Sequence, residues 1–225
     1  MDNASDREVR SIGCNDVLVG CLILLGYSGF VVFQSCSGLV LKVELQNSLK
    51  GLLIALHEYH DEHGHFPPAK FVDDEGNVHS WRSLMVAESS GYLHGEPWDS
   101  PGNRNAGCGW QHTFDGSGYS CLAIVGDSTV WPRDGYSSIN EITDGTSSTI
   151  IVLLIKDAGI GWWEPRDLVF DGQQLVIQGD PNRPISLEGG LYGLADGSFG
   201  WISEAVLENL AAFVEKDDRT VIENW

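Results

Sequence analysis

Between Asp16 and Lys42 the chain carries no charged residue, and this uncharged run, residues 17–41, constrains the fold more than any other feature. Its apolar heart, VLVGCLILLGYSGFVVF, occupies residues 17–33. A bilayer core takes about 20 largely apolar residues as a helix, and the run meets that length. Gly20, Gly26, Ser28, Gly29 and Gln34 dilute it, so a buried core helix and a cleaved export signal stay open as alternatives. Mixed charge before the run, and no small-x-small cleavage site after it, speak against the signal. Arg7 and Arg10 precede the run while Lys42 and Lys50 follow it, so the distribution of basic residues does not orient the helix. The acidic, Trp-rich remainder does, because it reads as an exported domain. The expectation is a single-pass membrane protein, N-terminus cytoplasmic and C-terminal domain extracytoplasmic.

Helical periodicity continues past the run. Leu45, Leu49, Leu52, Leu53, Leu56 and Tyr59 fall on one stripe, the pattern of a helix that buries one face. The helix is expected to reach about residue 62, where Gly64 and then Pro67-Pro68 end it. This divides the chain into a tail (1–13), a transmembrane and packing helix (14–62) and an extracytoplasmic β-rich domain (63–225). Phe71-Val72, DDEGN and residues 78–81 read as a hairpin. Residues 121–125 (CLAIV), 149–155 (TIIVLLI) and 175–177 are further strand candidates, with Asp144-Gly145 and Asp171-Gly172 as turns. A short helix is expected after Ser203 as N-cap.

Charge narrows the partners. A formal net charge of −19 repels phosphate backbones, so nucleic-acid binding is not expected. The hydrophobic fraction of 42% is ordinary for a folded domain, and 225 residues suffice for one sizeable core.

At this point the residues become recognisable. NSLKGLLIALHEYHDEHGHFPPA (residues 47–69) is followed in order by HSWRSLM (79–85), EPWDSPGNR (96–104), ITDGTSSTIIV (142–152), WWEPRDL (162–168) and LADGSFGWIS (194–203). In this series the chain resembles a large planctomycete family of paralogous pilin-like proteins of unknown function, one whose naming also suggests solute binding. The resemblance implies an α+β, pilin-like (pseudopilin-type) fold: a long N-terminal helix packed on an antiparallel β-sheet, here with a short C-terminal helix. Family members begin with a prepilin cleavage motif and end with a His-x9-Asp-Gly signature. This chain departs from that pattern. Gly13 is followed five residues on by Leu18 rather than Glu, and Ser186 stands where the signature has His before Asp196-Gly197. Leu154 replaces the acidic residue usual after the Asp-Gly-Thr-Ser block, and the family's Cys-Pro segment is not evident between Arg104 and Tyr119. A permanently anchored relative, not processed into a pilus, is the expectation.

Candidate chemistry is sparse. His57, His60 and His63 lie three residues apart in HEYHDEHGH, so imidazoles that suit Zn share a helical face, although the spacing is not that of a zincin. Asp115-Gly116-Ser117-Gly118 and Asp171-Gly172 are oxygen-rich turns that suit Ca²⁺ but lack EF-hand spacing. The alternative is a capped helix end and ordinary turns, and no cofactor is expected. No Gly-x-Ser-x-Gly or phosphate-binding glycine loop occurs, so an enzyme is not expected. Of eight tryptophans, Trp81, Trp98, Trp162 and Trp201 lie in the resembling blocks. Trp110, Trp131, Trp162 and Trp163 are candidates for a sugar-stacking or partner surface, against the plainer reading of core packing. Cys108 and Cys121, thirteen residues apart in the presumed exported domain, are a candidate disulfide for an oxidising compartment. Two functions follow. The first is a structural or interaction protein of the cell envelope, held by its helix and meeting envelope proteins, with Gly20, Gly26 and Gly29 as candidates for helix association. The second is an extracytoplasmic solute- or glycan-binding module that uses the Trp-rich loops.

Overall fold

In the computed structural model the five leucines of the stripe decide the architecture. Leu45, Leu49, Leu52, Leu53 and Leu56 are at most 1% exposed, all on helix α1 (Cys14–His63). Gly64 closes the helix in the left-handed region (φ 78°), its amide bonded to the carbonyl of His60 at 2.7 Å, as a C-terminal glycine does. The structure describes residues 14–86 and 90–217, with side chains from residue 39 onward, His112 excepted. The tail 1–13 and the side chains of residues 14–38, with Cys14, Cys21, Cys36 and the glycines proposed for helix association, lie outside the described residues. Among those that are described, no helix is long and apolar enough to cross a membrane. The chain divides into two units, Met1–Val43 and Glu44–Trp225; the fold described next is that of the second.

After α1, strands β1 (Lys70–Val72) and β2 (Val78–Ser80) form the expected antiparallel hairpin. Asp73 ties its turn by accepting from the backbone and side-chain amides of Asn77 at 2.7 and 2.9 Å. Trp81, expected to extend β2, instead opens a 3-10 turn (Trp81–Met85) capped by Ser80. Two short helices follow, α2 (Pro101–Asn105), with Pro at its start, and α3 (Gly109–Ser117).

The sheet has six strands: β3 (Tyr119–Val125), β4 (Ile150–Lys156), β5 (Leu168–Phe170), β6 (Leu175–Ile177), β7 (Leu191–Leu194) and β8 (Phe199–Trp201). Their order is β6-β5-β3-β4-β7-β8. Strands β3 and β4 are buried on both faces, which is why they read as unbroken apolar runs rather than alternating ones. One face is covered by α1: a methyl group added at Gly193 would lie 2.8 Å from Leu53 Cδ2 and 2.9 Å from Val152 Cγ2. The absent side chain of Gly193 therefore lets the helix approach β7. Phe213 and Val214 pack against Leu122, Ile124, Leu153 and Ile155 in the other core cluster. They belong to α5 (Leu210–Val214), which follows α4 (Glu204–Glu208), itself capped by Ser203 as expected.

The sheet is mixed rather than antiparallel, because β3 and β5 run parallel. The cause is the path of residues 157–167. They return alongside β3 in its own direction, held by Ser120 Oγ donating to the Ile160 carbonyl (2.8 Å) and by Asp167 accepting from the Ala123 amide (2.8 Å). The chain then enters β5 beyond β3 without turning back.

Candidate functional site

The tryptophans offered as a stacking surface are mostly core. Trp131, Trp162 and Trp163 are 1%, 2% and 5% exposed. Trp131 donates its indole N–H to the Ile151 carbonyl (2.6 Å), and its ring lies 5.0 Å from that of Trp81. Trp163 bonds the Ala106 carbonyl (3.2 Å) beside the Tyr92 ring. Trp162 stacks on Phe114, and its indole nitrogen is buried without a partner. Trp162 and Trp163 face inward because residues 157–167 fold back along β3. Trp110 alone of the four is half-exposed, bordering a depression with Met85 and Cys108.

The histidines are likewise engaged locally. His60 Nε2 accepts from the Ile139 amide at 3.1 Å. His63 donates Nδ1–H to the Tyr59 carbonyl (2.9 Å) and stacks on that ring. His57 packs edge-on to Phe66, and its buried Nε2 has no partner. Asp171 is remote from them, in the β5–β6 turn, where the amides of Gln174 and Gln173 hold its carboxyl below the usual range. His57, His60, His63 and Asp171 are therefore not brought together. Among the described residues no group of three or more His, Cys, Asp or Glu is placed to hold a metal ion. Asp115, the candidate calcium turn, accepts from the Trp162 amide.

Both cysteines are free, so the Cys108–Cys121 bridge is corrected. Cys108 caps α3, its sulfur accepting from the Gln111 amide. Cys121 lies inside β3, where burial pushes its thiol up to about 12.

What the structure gathers instead is a buried polar centre on the 3-10 turn. Arg82, 1% exposed, has all five N–H groups engaged. Nε donates to the Cys121 carbonyl (2.7 Å), and Nη1 to Ser80 Oγ (2.6 Å) and the Glu164 carbonyl (3.2 Å). Nη2 donates to the Arg166 carbonyl (3.4 Å) and to Asp167 Oδ1 (2.5 Å). The same Oδ1 takes the Trp81 indole N–H (3.3 Å) and the Ala123 amide (2.8 Å). Burial raises the Asp167 carboxyl to about 6 against the pull of Arg82. A guanidinium is suited to this post because its planar donors are preorganised and always charged. No local pattern announces a pair 85 positions apart, although both members lie in blocks that carry the family resemblance.

A second relay runs nearby: Asp73 Oδ2 to His79 Nε2 (3.0 Å), and His79 Nδ1 to the Tyr92 hydroxyl (2.7 Å). Desolvation raises the Asp73 carboxyl, but hydrogen bonds from His79 and Asn77 bring it down to about 2. Burial raises the Tyr92 hydroxyl well above its ordinary value. The connectivity is that of a triad, yet a phenol held so firmly protonated is a poor nucleophile, and the relay acts as a pin between the hairpin and the segment at Tyr92.

Residues 44–88 match a family model described as a protein of unknown function, DUF1559. The match takes in the C-terminal part of α1, the hairpin and Arg82, and stops short of Asp167. No curated protein and no solved structure matches the chain.

Asp167 also lines a cavity of about 220 Å³, together with Lys70, Arg133, Asp134 and Gln178. Its Oδ1 accepts the three hydrogen bonds described above, and Oδ2 accepts none from the described residues. Sequence reasoning missed this site, because its residues come from the hairpin, the loop after Trp131, the return segment and the end of β6.

Proposed function

We propose that this chain is a membrane-anchored protein of the cell envelope, in which α1 holds a pilin-like domain outside the membrane for contact with other envelope proteins, without catalysis. The observation that carries the reading is the continuity of α1. One helix carries both the apolar segment and the leucine stripe that forms part of the domain core, so the sequence places a span of membrane length on the same helix as that stripe. Leu39 and Val40, at the end of the apolar run, are exposed (64% and 56%), as side chains that meet lipid or another helix would be. A long helix laid on a sheet is also the arrangement of pilin-like proteins. Inward-facing tryptophans favour this reading over a glycan surface built from them.

Fractionation and protease protection of a C-terminally tagged chain in a bacterial cell test it. The expected result is a full-length protein in the membrane fraction, resistant to carbonate extraction, with its domain digested by protease added from outside. A soluble, shortened product, or a tag shielded from external protease, overturns it.

A further inference from the structure

The cavity beside Asp167 gathers four charged side chains, of which Asp167 is paired in the core and Arg133 at the surface. Lys70 and Asp134 have no ion-pair partner among the described residues, and Arg133 meets only the exposed Asp127, through Nε, at 3.2 Å. Asp167 is 2% exposed, and its Oδ2 is left without a hydrogen bond from the described residues where its Oδ1 takes three. That oxygen is not among the buried atoms that lack a partner, so it reaches the open space of the cavity rather than being sealed in the core. The cavity wall thus carries two carboxylates and two cations, with the apolar surfaces of Ala69, Val125 and Val169 between them.

We propose that this cavity binds a small aliphatic α-amino acid, with Asp134 and Asp167 Oδ2 accepting from its ammonium, and Lys70 and Arg133 taking its carboxylate. Three considerations select this class. A volume of about 220 Å³ holds about seven waters, which suits a ligand between alanine and valine in size and excludes a sugar chain. A chain of net charge −19 repels a free anion from its surroundings and attracts a free cation to much of its surface. A zwitterion has no net charge, escapes both effects, and is recognised by the paired arrangement itself. Finally, the apolar patches leave a place for a hydrocarbon side chain. Burial raises the Asp167 carboxyl, while the Arg82 guanidinium favours the carboxylate form that accepts from an ammonium. The inference goes beyond the anchored-domain reading and does not depend on it.

The test is calorimetric titration of the full-length chain in mild detergent with L-alanine and L-valine at pH 7.5. Isobutylamine (valine without its carboxylate) and 3-methylbutanoate (valine without its ammonium) serve as half-ligands. Lys70→Gln and Asp134→Asn change exposed residues that support no core contact, and their unfolding midpoints verify that the fold persists. The expected result is saturable binding of at least one of the two amino acids, weakened about tenfold or more in each variant and for each half-ligand, since each loss removes a charge-assisted hydrogen bond. No binding of either amino acid, binding unchanged by both substitutions, or 3-methylbutanoate binding as well as valine overturns the proposal.

Discussion

Arg82→Met is expected to lower the stability of the domain by about 3–5 kcal/mol, the cost of leaving one member of a buried ion pair without its partner. Methionine fills much of the volume, so the loss is electrostatic: Asp167 keeps its burial and loses its counter-charge, and four protein acceptors besides it lose a donor. The deficit has a predictable pH dependence. The Asp167 carboxyl titrates at about 6 in the folded chain against an ordinary 3.8, because burial outweighs the lowering by Arg82. A carboxyl raised on folding contributes stability that is present below its unfolded value and is lost as pH rises through the folded one. Removing Arg82 removes a lowering influence and moves the folded value further up. Urea titrations should therefore show a larger gap between Arg82→Met and the wild type at pH 8 than at pH 5. An equal gap at both pH values would contradict the assignment of the loss to an uncompensated Asp167. Pairing Arg82→Met with Asp167→Leu should recover part of the loss, but not all, since the Ala123 amide and the Trp81 indole would then lack their acceptor.

Trp131→Ala is expected to cost about 3–5 kcal/mol, the range for truncating a large aromatic in a packed core. The side chain is 1% exposed, packs on Trp81, and satisfies the Ile151 carbonyl of the central strand β4. Trp110→Ala, at a half-exposed ring, should cost about 1 kcal/mol or less. Equilibrium unfolding of the two variants distinguishes a core indole from one offered to a ligand. If both substitutions are equally mild, the inward placement of Trp131 is wrong.

These two residues also mark where the sequence stops being informative. The leucine stripe of α1, the glycine that ends it and the Ser203 cap are local signals, each set by spacing or backbone conformation within a few residues, and the structure places all three as read. The unbroken apolar runs of β3 and β4 are equally plain. The tryptophans were harder, because an indole in a loop carries no periodicity to say which way it faces. Its direction depends on the return of residues 157–167 along β3, which also makes one strand pair parallel where an antiparallel sheet was expected. Short strands β7 and β8 were hidden by their glycines, and Gly193 is there because Leu53 sits over it. The metal candidates are not gathered together, for a related reason. Helical spacing puts His57, His60 and His63 near one another, but His60 and His63 find partners within a few ångströms, and Asp171 belongs to a distant turn. Neither the Arg82–Asp167 pair nor the cavity beside it has any sequence signature, since both are assembled from segments far apart in the chain.

The central claim is that the helix that continues the apolar run is also an integral part of the domain core. Comparing a chain that begins at Glu44 with one that begins at Gly64 tests it most directly, by urea unfolding in detergent-free buffer. The first keeps the five buried leucines and should be soluble and unfold in one cooperative transition. The second lacks them, uncovers the face of the sheet around Gly193 and Val152, and should show no cooperative transition. Cooperative unfolding of the second chain, with the same midpoint as the first, would contradict the account.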